Sequence, residues 1–161
     1  MSFTIRQAEA RDREALIALF QALNSHENAI TGDRRTDRSG AEETLAESQG
    51  QVERSDGVFL VAESAGRVVG LMTLTFEEGP VYLQAEARPY AHIGDLVVVE
   101  SERQKGIGRA LMTAAEEHAA SRGYREVTIG VLVGNTSAEA AYARQGFQPL
   151  GLNLVKAIGP D

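Results

Sequence analysis

Cysteine is absent from the 161 residues. Its absence excludes disulfides, thiolate metal sites and a cysteine nucleophile. Histidine is scarce. His26, His92 and His118 have no paired spacing, so no metal site is expected. No apolar run approaches the roughly 20 residues that cross a bilayer, and no membrane partner is expected. The N-terminal stretch MSFTIRQAEARDRE turns charged too early for a secretory signal, which points to the cytoplasm. Positive charge is in short supply: 16 Lys and Arg against 23 Asp and Glu give a net charge of −7. Lysine occurs only at Lys105 and Lys156. Non-specific nucleic-acid binding wants the opposite sign, so no nucleic acid is expected. What remains is 43% apolar and 24% charged, an ordinary globular composition. The length fits one domain over residues 1–161 with one filled core.

The periodicity predicts the elements. Phe3 to Arg6 alternates as an edge strand, and Leu16, Leu19, Phe20 and Leu23 recur at helical spacing from about Asp12. The polar stretch from Asn24 to Gly40 reads as a long loop. A helix is expected over Ala41 to Gln49. Two strands, Val58 to Glu63 and Arg67 to Phe76, are joined at Ser64-Ala65-Gly66 as a hairpin. AHIGDLVVVE reads as a buried strand, then a polar loop, then a helix from Ile107 to Arg122 ended by Gly123. A strand over Glu126 to Val133, interrupted at Gly130, precedes a short helix over Ala138 to Arg144. Phe147 to Lys156 is expected as the last strand or hairpin. Strand–helix–strand units in the second half imply a parallel pair in a mixed sheet, an α/β fold of three layers with helices on both faces.

The loop Arg103-Gln104-Lys105-Gly106-Ile107-Gly108 lies between a hydrophobic strand and a helix. Its amides and the helix N-terminus can converge on an anion such as a pyrophosphate. Gly106 and Gly108 leave room for the phosphate. Arg103, Lys105 and Arg109 can add charge-assisted bonds. It is neither a P-loop, which needs G-x-x-x-x-G-K-[ST], nor a dinucleotide fingerprint, since Leu111 holds the third glycine position.

R-x-x-G-x-G in this place resembles the acyl-CoA loop of the GNAT acetyltransferases. A second block, VTIGVLVGNTSAEAAYARQGF, resembles that family's strand, Asn, short helix and Tyr-x-x-x-Gly-Phe ending, here Asn135, Tyr142, Gly146 and Phe147. The two blocks span roughly residues 91 to 150. Gln104 departs from the glycine common at its position in the family.

The resemblance implies a GNAT-like fold: a mixed, mostly antiparallel sheet with a central splayed parallel pair. It implies an N-acetyltransferase that moves an acetyl group from acetyl-CoA to a primary amine of a small molecule, by direct transfer in a ternary complex. The pantetheine arm would pair with strand amides at Leu96, Val97 and Val98, with Val98 N–H facing the thioester carbonyl. Residues 103–109 would hold the diphosphate, with Asn135 also on the donor side. Tyr142 would protonate the leaving thiolate. An alkylamine has a pKa near 10 and arrives protonated, so a base is needed. His92 is the candidate, and simple alternation puts it on one face with Gly94, Leu96 and Val98, Asp95 opposite. A strand carboxylate, common in the family where this chain has Gly94, is missing. In the N-terminal polar stretch, Glu27 and Asp33 are candidates for the acceptor. Two other readings stay open: a protein lysine or N-terminal acetyltransferase, and a non-catalytic acyl-CoA-binding module. A homodimer through C-terminal strands is expected on the resemblance alone.

Overall fold

The computed structural model describes residues 2–159. The elements are β1 (Phe3–Gln7), α1 (Arg13–Thr31), α2 (Arg38–Arg54), β2 (Val58–Ser64), β3 (Arg67–Glu78), β4 (Pro89–Val98), α3 (Ile107–Ser121), β5 (Val127–Ile129) and α4 (Thr136–Arg144). The sheet runs β1-β2-β3-β4-β5. The first four strands are antiparallel, and β4 and β5 are parallel. Ala65 (φ 49°) and Gly66 (φ 74°) both take positive φ at the β2–β3 turn, the conformation that matches strand twist.

Period-two patterning divides the core between the faces. Leu71 and Val61 pack with Leu16, Ile17, Phe20 and Leu45 of α1 and α2. Leu60, Met72, Leu74 and Ile93 pack with Ile107, Leu111 and Ala115 of α3. The expected mixed sheet with helices on both faces is what the chain adopts.

Two expectations are corrected. The stretch read as a loop from Asn24 to Gly40 is mostly helix. α1 runs on to Thr31 and closes at left-handed Gly32, whose N–H donates to Asn28 O (2.8 Å). α2 begins at Arg38, with Asp37 as its N-cap. Polar residues hid the continuation because the α1–α2 contact is itself polar here. Buried Asn24 donates to Thr44 Oγ1 (3.2 Å), which donates to Gly40 O (2.8 Å).

The strand expected over Phe147 to Lys156 is absent. Leu150, Leu152 and Leu154 do alternate but stand 70–89% exposed, because no strand lies beyond β5 to receive them. β5 is also shorter than expected and stops at Ile129, before Gly130.

An ion pair ties β1 to the start of α1. Arg6 forks onto Asp12 with bonds of 2.8 and 2.9 Å and also reaches Glu63 on β2. The Arg6 hydrogen bonds hold the buried Asp12 carboxyl below its ordinary range, against the opposing effect of burial. A depressed carboxylate stabilises the fold above its unfolded pKa, near 4, and loses that contribution as pH falls through its folded value. Asp12→Asn is therefore expected to cost about 2 kcal/mol at pH 7 and progressively less at acid pH. Urea unfolding at pH 7 and pH 3 reads the difference. An equal loss at both would assign the cost to packing instead of charge.

Candidate active site

The parallel contact between β4 and β5 is short. It joins Ala91, His92 and Ile93 to Val127, Thr128 and Ile129, and there it ends. β4 continues to Val98 with that edge open, so the two strands splay. Val99 N–H donates to Val69 O on β3 (2.8 Å), which fixes the phase of the strand. Amides alternate between edges, so those of Leu96 and Val98 face the gap and that of Val97 faces β3. Val98 O accepts from Arg103 Nε at 3.1 Å, as a carbonyl on the open side can. The side chain of Val97 is buried under α1 and α2, so its part in any gap contact is limited to main chain.

The loop leads from this edge into α3. Its first main-chain helical bond is Ala110 N–H to Gly106 O (3.0 Å). Ahead of it, the amides of residues 104–109 have no acceptor among the described residues. Gly106 sits at φ 85° and Gln104 at φ 63°, so the loop turns through two left-handed residues. This explains why glycine suits position 104 and why Gln104 carries some strain there. A Cβ on Gly106 would meet nothing within 4 Å, and one on Gly108 only Val98 Cγ2 at 4.0 Å. Buried Ile107 roots the loop in the core. Lys105 is held by Glu102 at 3.0 Å, and Arg109 is exposed. The result is an uncrowded concave run of amide donors at the head of a helix, suited to a diphosphate.

The face assignment along β4 needs correction. A bulge sets Gly94 and Asp95 against the single residue Thr73, since Ile93 pairs with Leu74 and Leu96 with Met72. The extra residue switches the alternation. Ala91, Ile93, Leu96 and Val98 therefore pack on the α3 side, and Val97 on the α1–α2 side. His92 shares the face of Asp95, not that of Leu96 and Val98. Asp95 Oδ2 accepts from Thr73 Oγ1 (2.7 Å), and its own N–H donates to that hydroxyl (2.9 Å). Ser48 of α2 lies near enough to favour the charged form as Thr73 does, yet burial dominates and pushes the Asp95 carboxyl up. A Cβ on Gly94 would stand 3.1 Å from Thr73 Oγ1, so glycine here leaves the Thr73–Asp95 pair undisturbed. His92 Nδ1 lies 2.8 Å from Thr128 Oγ1 of β5. Burial pushes the imidazole pKa down, with Glu77 and Asp95 opposing.

The second half of α1 roofs this region. A Cβ on Gly134 would sit 3.5 Å from Ile30, and His26 Nε2 is 3.5 Å from Asn135 Oδ1, so α1 bridges to the segment after β5. Glu27 pairs with Arg34 at 3.0 Å. It lies near enough to raise the pKa of both Asp95 and Tyr142, in each case behind burial. The Tyr142 ring on α4 packs edge-on against Phe147, centroids 6.0 Å apart. Asn135 is the N-cap of α4, accepting from Ala138 N–H (3.4 Å), so its side chain is occupied by the fold. Asp33 is exposed and accepts from Thr31 Oγ1 (2.5 Å) and Arg34 Nη1 (2.7 Å). It touches the cleft only through Arg34.

An open cavity of about 410 Å³ lies where α1 meets the end of β4, lined by Ala22, His26, Val98, Glu100 and Arg103 among others. A hollow of about 500 Å³ between β1 and α3 is remote from the loop and carries none of these groups. Among the described residues, no cluster of three His, Cys, Asp or Glu side chains could hold a metal, and no helix is long and apolar enough to cross a membrane. Ser48, Thr73 and Thr128 were not legible as site residues. Their roles depend on register, which no motif encodes.

Comparison with known proteins gives the family. The model of the Acetyltransferase (GNAT) family matches residues 16–147. The chain belongs to that family. It is an acetyl-CoA-dependent N-acetyltransferase by that membership. The N-acetyltransferase YhfO of Bacillus subtilis is 28% identical over 144 residues, 89% of each chain. Mycothiol acetyltransferase of Thermobispora bispora is 39% identical over 92 residues, 55% of this chain and 29% of that longer one. A mutant of the BH1408 protein from Bacillus halodurans has the same fold, with a TM-score of 0.84 at 22% identity over 96% of this chain and 99% of that one.

Proposed function

We propose that this acetyltransferase moves the acetyl group of acetyl-CoA directly to a primary amine of a small molecule within a ternary complex. The observation that carries the reading is the run of unpaired amides at residues 104–109 beside the open edge of β4. The diphosphate would lie on those amides with Arg103, Lys105 and Arg109 around it, and the pantetheine arm along Leu96 to Val98. Arg103 must first leave Val98 O, which the arm would take over. Asn135 supports the donor side by fixing the start of α4.

Strand geometry refines the chemistry. At about 3.3 Å per residue, with Gly94 and Asp95 taking one step together at the bulge, Val98 lies about 17 Å from His92 and Leu96 about 10 Å. A base acting directly or through water needs the thioester near the bulge, so Leu96 N–H is the better oxyanion donor than Val98 N–H. His92 takes the proton of the arriving ammonium, the freed nitrogen attacks the carbonyl carbon, and the tetrahedral intermediate collapses with breakage of the C–S bond. Tyr142 gives its proton to the departing sulfur and is reprotonated by the second proton released from the nitrogen. Burial and Glu27 keep that phenol protonated until then. Glu27 draws the cationic acceptor in, and Asp33 braces Arg34, which holds Glu27.

Calorimetric titration with acetyl-CoA, joined to thiol release against a panel of amines, tests the reading. Low-micromolar binding and turnover with small amines are expected. No heat at high micromolar donor ends it, and turnover only with lysine peptides moves the acceptor to protein. We also propose a homodimer, on the free outer edge of β5 and the exposed alternating leucines of 150–154. Light scattering on the same sample should give twice 17.3 kDa. A monomer at micromolar concentration removes it.

A further inference from the structure

His92 can serve as a base only through a ring nitrogen that carries a lone pair, and an imidazole has two. One of them, Nδ1, lies 2.8 Å from Thr128 Oγ1. Which way that bond runs decides what the other nitrogen can do. A hydroxyl has one proton to give. The nearest acceptor besides the ring is Ala91 O, and Thr128 Oγ1 donates to it at 3.4 Å. With the hydroxyl proton turned to the main chain, the oxygen meets Nδ1 with a lone pair. Nδ1 then holds the ring proton, and Nε2 is left free to accept one.

We propose that Thr128 is a positioning residue that fixes His92 in the Nδ1–H tautomer and so presents Nε2 as the proton acceptor. The assignment rests on the reading of His92 as the base and adds to it the residue that makes the base usable.

The placement follows from the fold. His92 and Thr128 are register partners in the short parallel contact, so their side chains lie on one face at the point where the strands part. The ring stands at the mouth of the splay and is oriented from the strand across it. Thr75 pairs with His92 on the other flank and sends its hydroxyl to the main-chain His92 O (3.5 Å), not to the ring. The charged groups facing His92 are Glu77 from β3 and Asp95 from β4, with Glu27 of α1 beyond Asp95. No bond from Glu77 or Asp95 to either ring nitrogen is present among the described residues, so neither competes with Thr128 in choosing the tautomer.

The test separates tautomer from base. Long-range 1H–15N correlation of histidine-labelled protein, with His92 assigned by its loss in His92→Gln, is expected to show a protonated, pyrrole-like Nδ1 and an unprotonated Nε2 above the imidazole pKa. In Thr128→Val the ring should shift toward the Nε2–H form. kcat should fall about tenfold, a part of the 10²–10⁴ attributed to a positioned base, with KM for acetyl-CoA unchanged. The acidic limb of the kcat/KM profile should move with it. Thr128→Ser, which keeps the hydroxyl, should restore both the spectrum and the rate. An Nε2–H ring in the wild-type protein, or a Thr128→Val spectrum and kcat identical to wild type, overturns the proposal. Undiminished turnover in His92→Gln would instead remove His92 as base and leave the tautomer result standing as structure.

Discussion

Replacing Gly108 by valine is expected to weaken acetyl-CoA binding about 100-fold, which is about 2.7 kcal/mol. The expectation follows from the emptiness of the loop. The amides of residues 104–109 are unpaired, and the space over Gly108 is open to 4.0 Å. A branched side chain placed there projects into the position a phosphate oxygen must take, and blocks several amide contacts together. The fold should tolerate it. Gly108 lies in the first turn of α3 at ordinary φ, and a glycine replaced within a helix loses backbone freedom in the unfolded chain. The melting temperature should therefore stay within about 2 °C of wild type. Gly108→Ala should be much milder, since its Cβ reaches only van der Waals contact with Val98. Calorimetry and a melting curve on the same preparations decide the matter. Unaltered donor affinity in the valine variant means that the diphosphate lies elsewhere. Gly106 is a poorer probe, because its φ of 85° would add backbone strain to any substitution.

Tyr142→Phe is expected to lower kcat about 100-fold and to leave donor affinity within about twofold, since general-acid assistance contributes 10²–10⁴. The lower end applies because a thiolate is already a fair leaving group. The variant removes one oxygen and keeps the ring, whose edge contact with Phe147 holds α4 against the chain that follows. Loss of rate would thus report the hydroxyl and not the packing. Steady-state kinetics with thiol detection supply the number. Unchanged kcat would falsify the assignment of Tyr142 and leave protonation of the sulfur to solvent.

The place and the turn of the loop were legible because glycines advertise such main-chain conformation in sequence. The hairpin at Ala65-Gly66 and the three-layer order were legible for the same reason, from turn residues and apolar periods. The polar half of α1 was not. Asn24, His26, Glu27 and Asn28 read as loop because their partners, Thr44, Asn135, Arg34 and the main chain at Arg34, lie on other segments. The exposed C-terminal leucines show the reverse case, a strand pattern with no strand beside it. The faces of β4 were not legible either. Alternation along β4 was projected as though the strand were regular, and nothing in HIGDL announces that two of its residues face one on β3.

That bulge ties two properties of the enzyme into one. Everything after Gly94 is phased by a single supernumerary residue. Flattening the bulge with every residue kept would turn Asp95 and Val97 toward α3, aim the wrong amides into the splay and bring Leu96 under α1, all without altering any residue named in the motifs. A residue gained or lost elsewhere in β4 would shift the phase on one side of the change, whereas loss of one bulge residue would leave the later phase in place. Changes of length that spare the site are therefore expected in the turns at either end and at the bulge itself.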